Sequence, residues 1–178
     1  MTATAGAAVP AKQFYISQRL RLHYADWGNA TAAPLILVHG GRDHCRSWDA
    51  VAQGLRADWH VIAPDLRGHG DSAWSSDGNY AMAAYVFDLA ELIRALGPRP
   101  VNIIGHSLGG NIALRFAGLY PQELNRLIVM EGLGLAPKLL AAREAPPITM
   151  ACSAHWTHTG FTGMCRPETM PRTATYSH

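Results

Sequence analysis

Runs of like charge are missing from this chain, and so is any apolar stretch long enough to cross a bilayer. Its 15 basic and 13 acidic residues are scattered and nearly balanced, leaving a net charge of +2. That distribution argues against nucleic acid as a partner. Cysteine is scarce: Cys45, Cys152 and Cys165 are odd in number and lack metal-type spacing. The expectation is reduced thiols in a cytoplasmic protein, with no metal site. Residues Met1 to Ala11 are small and Ala-rich, with neither a positive start nor a sustained apolar stretch. No signal peptide and no membrane partner are expected from that pattern.

What is present reads as one globular domain. The chain has 178 residues, 48% hydrophobic and 16% charged, enough for one buried core and too few for two. Short β-like runs alternate with helical stretches from about Gln13 to Ala136. Phe14–Ser17 and Arg21–Asp26 read as an antiparallel pair. Leu35–Val38, His60–Ala63, Val101–Ile104 and Leu127–Met130 are apolar runs without polar alternation, as strands covered on both faces require. Between them Ser47–Leu55, Met82–Leu96 and Leu108–Leu119 read as helices. The second places Val86, Leu89, Ile93 and Leu96 on one stripe. This order predicts an α/β fold, a mostly parallel sheet with helices on both faces.

Aliphatic residues then vanish. Helix formers continue to Arg143, Pro146-Pro147 stops them, and from Thr149 to His178 there is no Leu, Val or Ile, while Thr occurs seven times. The stretch 137–178 is expected to be an atypical tail unable to supply another buried strand. A natural flexible tail and a shifted or interrupted reading frame are both compatible with this change, and the second is preferred. Either way, Leu127–Met130 is left as an apolar sheet edge open to self-association.

Chemistry centres on Gly105-His106-Ser107-Leu108-Gly109, between the strand Val101–Ile104 and a helix. A serine exposed on a sharp strand-to-helix turn needs small residues two positions to either side. Gly105 and Gly109 meet that need, and Gly110 lets the helix approach the sheet. The alternative, a dinucleotide-binding turn, fails because G-x-G-x-x-G is absent. At the head of the helix, Ser107 sits where free N–H groups favour a developing negative charge.

With His39-Gly40-Gly41 after Leu35–Val38, Trp48 beyond it, and Asp65-Leu66-Arg67-Gly68-His69-Gly70-Asp71-Ser72 after the next strand, the stretch from Gln13 to Ala136 resembles the N-terminal part of the α/β-hydrolase fold. The likeness is to its esterase, epoxide-hydrolase and dehalogenase-like branch. It implies an incomplete copy of that fold, with final strands and lid missing. It also implies a serine nucleophile at Ser107 and an oxyanion hole from the backbone N–H groups of Gly41 and Leu108. His39, Gly40, Gly105, His106 and Gly109 are then supporting residues. Serine in place of aspartate points to an acyl-enzyme on a small-molecule ester, thioester or lactone rather than an aspartyl ester. No cofactor is implied.

The family's chain order of serine, acid, histidine is poorly served here. No aspartate follows Asp88, and the acids after Ser107 are Glu123, Glu131, Glu144 and Glu168. Glu131, at the end of Leu127–Met130, is the best placed acid; Glu123 reads as solvated. The histidines that follow are His155, His158 and His178, and His155 is the candidate base. Loss of a base costs on the order of 10⁶ in kcat. Three readings stay open: a weak hydrolase using Glu131 and His155, a non-catalytic remnant or binding protein, and a cofactor-free perhydrolase-like activity.

Overall fold

A computed structural model describes residues 8–97 and 100–132, and the backbone of residues 148–150. Among these residues seven strands form one mixed sheet: β1 (Ala11–Ser17), β2 (Leu20–Asp26), β3 (Pro34–Val38), β4 (His60–Pro64), β5 (Val101–His106), β6 (Leu124–Met130) and β7 (Ile148–Met150). Their order is β1-β2-β4-β3-β5-β6-β7. β1 and β2 pair antiparallel, as do β2 and β4; the pairs from β4 to β7 are parallel. Helices α1 (Asp49–Leu55), α2 (Met82–Leu96) and α3 (Leu108–Leu119) form the crossovers.

Both faces of the sheet are covered, and β3 shows how. All five of its residues are buried. Leu35 and Leu37 pack with Ala52 of α1, Trp27 and Trp48 on one face. Ile36 and Val38 point the other way, into a larger cluster with Val86, Leu89 and Ile93 of α2 and Ile112 and Phe116 of α3. The strand period of two divides the run between two layers. Each fully buried aliphatic side chain contributes about 1.5–3 kcal/mol, so both layers hold the central strands. The expected stripe on α2 is the face that enters the larger cluster.

A buried ion pair ties the β4 end to this layer. Arg67 donates to Asp88 of α2 through Nε (2.6 Å) and Nη2 (2.8 Å), and to the Asn79 carbonyl through Nη1 (2.7 Å). The Ser17 hydroxyl donates to the same carboxylate at 2.5 Å. One anion thus fixes the β1–β2 turn, α2 and the loop after β4. Losing one partner of such a pair is costly, because the other is left charged in the interior.

Three expectations are corrected. β1 starts at Ala11, ahead of Phe14; Ala11–Phe14 are exposed on an edge strand, so burial leaves no pattern there. β6 starts at Leu124, ahead of the apolar run, because Asn125 and Arg126 face out. Leu127–Met130 is not the sheet edge: β7 pairs with it in parallel, Leu127 with Ile148 and Val129 with Met150. A three-residue edge strand needs backbone partners more than an aliphatic core, so composition did not exclude it. The expected tail, 137–178, lies outside the described residues except for 148–150. Among those described, no helix is long and apolar enough to cross a membrane.

Candidate active site

The chemistry gathers at the C-terminal ends of β3, β4, β5 and β6. β5 runs directly into α3 with Ser107 as the joint, and Ser107 takes φ +50°, ψ −113°. A non-glycine residue in the left-handed half of the map is strained and is held there by its surroundings. Those surroundings are glycines. A Cβ on Gly105 would stand 2.6 Å from the Gly109 carbonyl oxygen, and one on Gly109 would overlap the carbonyl oxygens of Val38 and His39. The Ser107 amide donates to the Met130 carbonyl at 2.9 Å, which fastens the bend to β6.

The bend opens towards the loop after β3, which carries Gly40 and Gly41. Leu108 is the first residue of α3, so its N–H has no intrahelical acceptor. The Leu108 side chain lies 3.7 Å from where a Gly41 Cβ would be, and Ser107 Cβ lies 3.3 Å from the corresponding point on Gly40. Gly40 and Gly41 therefore pass directly over the bend. Among the described residues neither the Gly41 nor the Leu108 amide donates to a backbone carbonyl outside regular structure.

Two imidazoles hold this loop. His39 is buried; its Nε2 accepts from the Leu66 amide at 3.0 Å, so its Nδ1–H donates to the Gly40 carbonyl at 2.7 Å. Burial pushes its pKa below the usual histidine value, against the opposing pull of the Gly40 carbonyl. His39 is thus a neutral bridge from the loop to the turn after β4. His69 repeats the device: Nε2 accepts from the Arg42 amide at 3.2 Å, and Nδ1–H donates to the Arg67 carbonyl at 2.9 Å.

The far end of the loop is fixed by Asp65, which sequence reasoning placed only in a turn. Its carboxylate accepts from the Cys45 amide (2.7 Å), from His23 Nδ1 (2.8 Å) and from the Asp71 amide (2.9 Å). Burial alone would raise its pKa; the Cys45 and Asp71 amides and His23 outweigh it and hold the carboxyl below its ordinary value. His23, Cys45 and Asp65 offer ligand atoms within 4.8 Å of one another. Burial and the neighbouring carboxylate keep the Cys45 thiol protonated, pushing its pKa far up. His23 Nε2 is buried without a partner, whereas a metal-bound imidazole normally donates its second N–H. The cluster has the bonding of a structural hub. Forty-two residues separate Asp65 from His23, and no sequence signal joins them.

The structure places Ser107, Gly41, Leu108, His39, Gly40, Gly105, His106 and Gly109 side by side at the ends of β3 and β5. Glu131 stands close by, exposed and at φ +50°; its Oε2 lies 3.6 Å from His106 Nε2. His155, the expected base, lies outside the described residues. Among the described residues no imidazole bonds to the Ser107 hydroxyl.

A family model described as the alpha/beta hydrolase fold matches residues 33–151, and the chain belongs to that family. It is similar to a serine hydrolase-like protein of Danio rerio, 35% identical over 112 residues, covering 62% of this chain and 34% of the relative. It is also similar to an esterase of Mycobacterium tuberculosis, 38% identical over 105 residues, covering 59% of this chain and 34% of the relative. Among solved structures, a thioesterase domain from the curacin biosynthetic pathway matches at TM-score 0.66 and 25% identity, over 68% of this chain and 46% of that domain. The chain spans about a third of the length of these two curated relatives.

Proposed function

We propose that this chain carries the nucleophile and oxyanion half of a serine hydrolase acting on a carboxylic ester, thioester or lactone. The observation that carries the reading is Ser107 at φ +50° on a glycine-walled bend, at the head of α3 and beneath Gly41. The esterase and thioesterase relatives support the same bond class. In the first step the Ser107 oxygen bonds to the acyl carbon and its proton passes to a general base. The carbonyl π pair moves onto oxygen. Two preorganised N–H groups at that oxygen are worth about 10²–10³ each in kcat, and the positive end of α3 adds to them. Collapse expels the alcohol or thiol, which takes up the proton, and water then releases the acid from the serine ester. His155 is the candidate base. Without a positioned base, turnover falls to the residual of about 10³–10⁴ over water that binding and the oxyanion hole supply.

A fluorophosphonate probe tests the nucleophile. Mass spectrometry should find the adduct on Ser107, and Ser107→Ala should abolish it. A soluble, folded chain that stays unlabelled at Ser107 sinks the proposal.

A further inference from the structure

The turn after β6 meets the Ser107 bend at three points. The Ser107 amide bonds to the Met130 carbonyl. Gly132 packs so near Gly110 of α3 that a Cβ on it would stand 3.5 Å from the Gly110 carbonyl carbon. Between these contacts Glu131 takes a left-handed φ of +50°, which a non-glycine residue adopts only when its neighbours hold it. That backbone aims its carboxylate at His106, Oε2 to Nε2 at 3.6 Å. The opposite edge of the same ring faces the oxyanion loop: His106 Nδ1 lies 3.1 Å from where a Gly40 Cβ would be. One imidazole therefore fills the space between the β6 turn and the residue before the Gly41 donor.

We propose that Glu131 is a positioning residue that acts through His106, the pair buttressing Gly40 and so the Gly41 amide. The carboxylate is then already engaged and does not serve as partner of the general base. The inference deepens the serine-hydrolase reading and rests on it for its kinetic consequence. Its physical core, the buttress, stands apart from catalysis. At 3.6 Å and half exposed to water the contact is longer than a hydrogen bond, so its share is modest. The bulk of the imidazole against Gly40 matters more.

The test compares the wild-type chain with Glu131→Gln, His106→Ala and the double variant. It reads fluorophosphonate labelling of Ser107, p-nitrophenyl butyrate hydrolysis, and amide hydrogen exchange of a peptide spanning 38–44. Glu131→Gln should slow labelling about two- to five-fold, the scale of an exposed charged contact. His106→Ala should slow it about ten-fold or more, since an ångström of misplacement costs up to about 10². Both should lower kcat with KM unchanged, and both should speed exchange at 38–44. In the His106→Ala background the Glu131→Gln effect should disappear. A fall of about 10⁴ on Glu131→Gln, as for a triad acid, overturns the proposal, as do additive effects or unchanged exchange. If wild-type Ser107 does not label, the function fails and the exchange arm still decides the buttress.

Discussion

His39 is the residue on which the Gly40–Gly41 loop depends most directly. It joins Gly40 to Leu66 by two short hydrogen bonds, and both require the neutral ring with hydrogen on Nδ1. Protonation would put a donor where Nε2 now accepts. Burial depresses its pKa in the folded state, while the unfolded chain titrates near the ordinary value of about 6.5. Below that pH the unfolded state binds the extra proton first, so its contribution to stability is intact above pH ~6.5 and is lost as pH falls towards the folded value. Urea unfolding at pH 8 and pH 5.5 should therefore show lower stability at the acid end, with His39→Gln flattening part of that slope. An unchanged slope in the variant would remove His39 from the account. His39→Gln should also cost about 1–3 kcal/mol at pH 8, the scale of one unsatisfied buried group.

At the scale of elements, the β5–α3 joint is built by exclusion of side chains. Gly109→Ala would place a methyl group inside the carbonyl oxygens of Val38 and His39, which are backbone and cannot swing aside. Overpacking costs about 1–3 kcal/mol and sometimes more, so a loss of at least ~3 kcal/mol is expected in chemical denaturation. Gly54 of α1 is the contrast. Nothing lies within 4 Å of its would-be Cβ, and Gly54→Ala should gain up to about 1 kcal/mol from helix propensity. Equal effects of the two substitutions would contradict the packing argument. This joint was legible in the sequence, because its glycine spacing is a local steric demand. α2 was legible to the residue from its buried stripe. The last two residues of the 3-10 turn Cys45–Trp48 that precedes α1 were merged into the helix Ser47–Leu55, and β7 was missed. Neither carries an apolar period long enough to register. The Asp65 hub and the Glu131–His106 contact were invisible for another reason: each joins residues that only the sheet order brings together.

Across the whole molecule, a two-faced sheet delivers three loop ends to one point. The Gly40–Gly41 loop arrives from β3, its anchors Asp65, Leu66 and His69 from the β4 turn, and the bend from β5, with the β6 turn behind. The chain belongs to the α/β-hydrolase fold through this region, and the described residues hold the Ser107 bend beneath Gly40 and Gly41. The most direct measurement is a crystal structure of the chain after reaction with a diethyl phosphate ester at Ser107. The phosphoryl oxygen should sit about 2.7–3.1 Å from the backbone nitrogens of both Gly41 and Leu108, the spacing an oxyanion requires. A phosphoryl oxygen turned to solvent, or a Ser107 side chain directed into the sheet, would contradict the account.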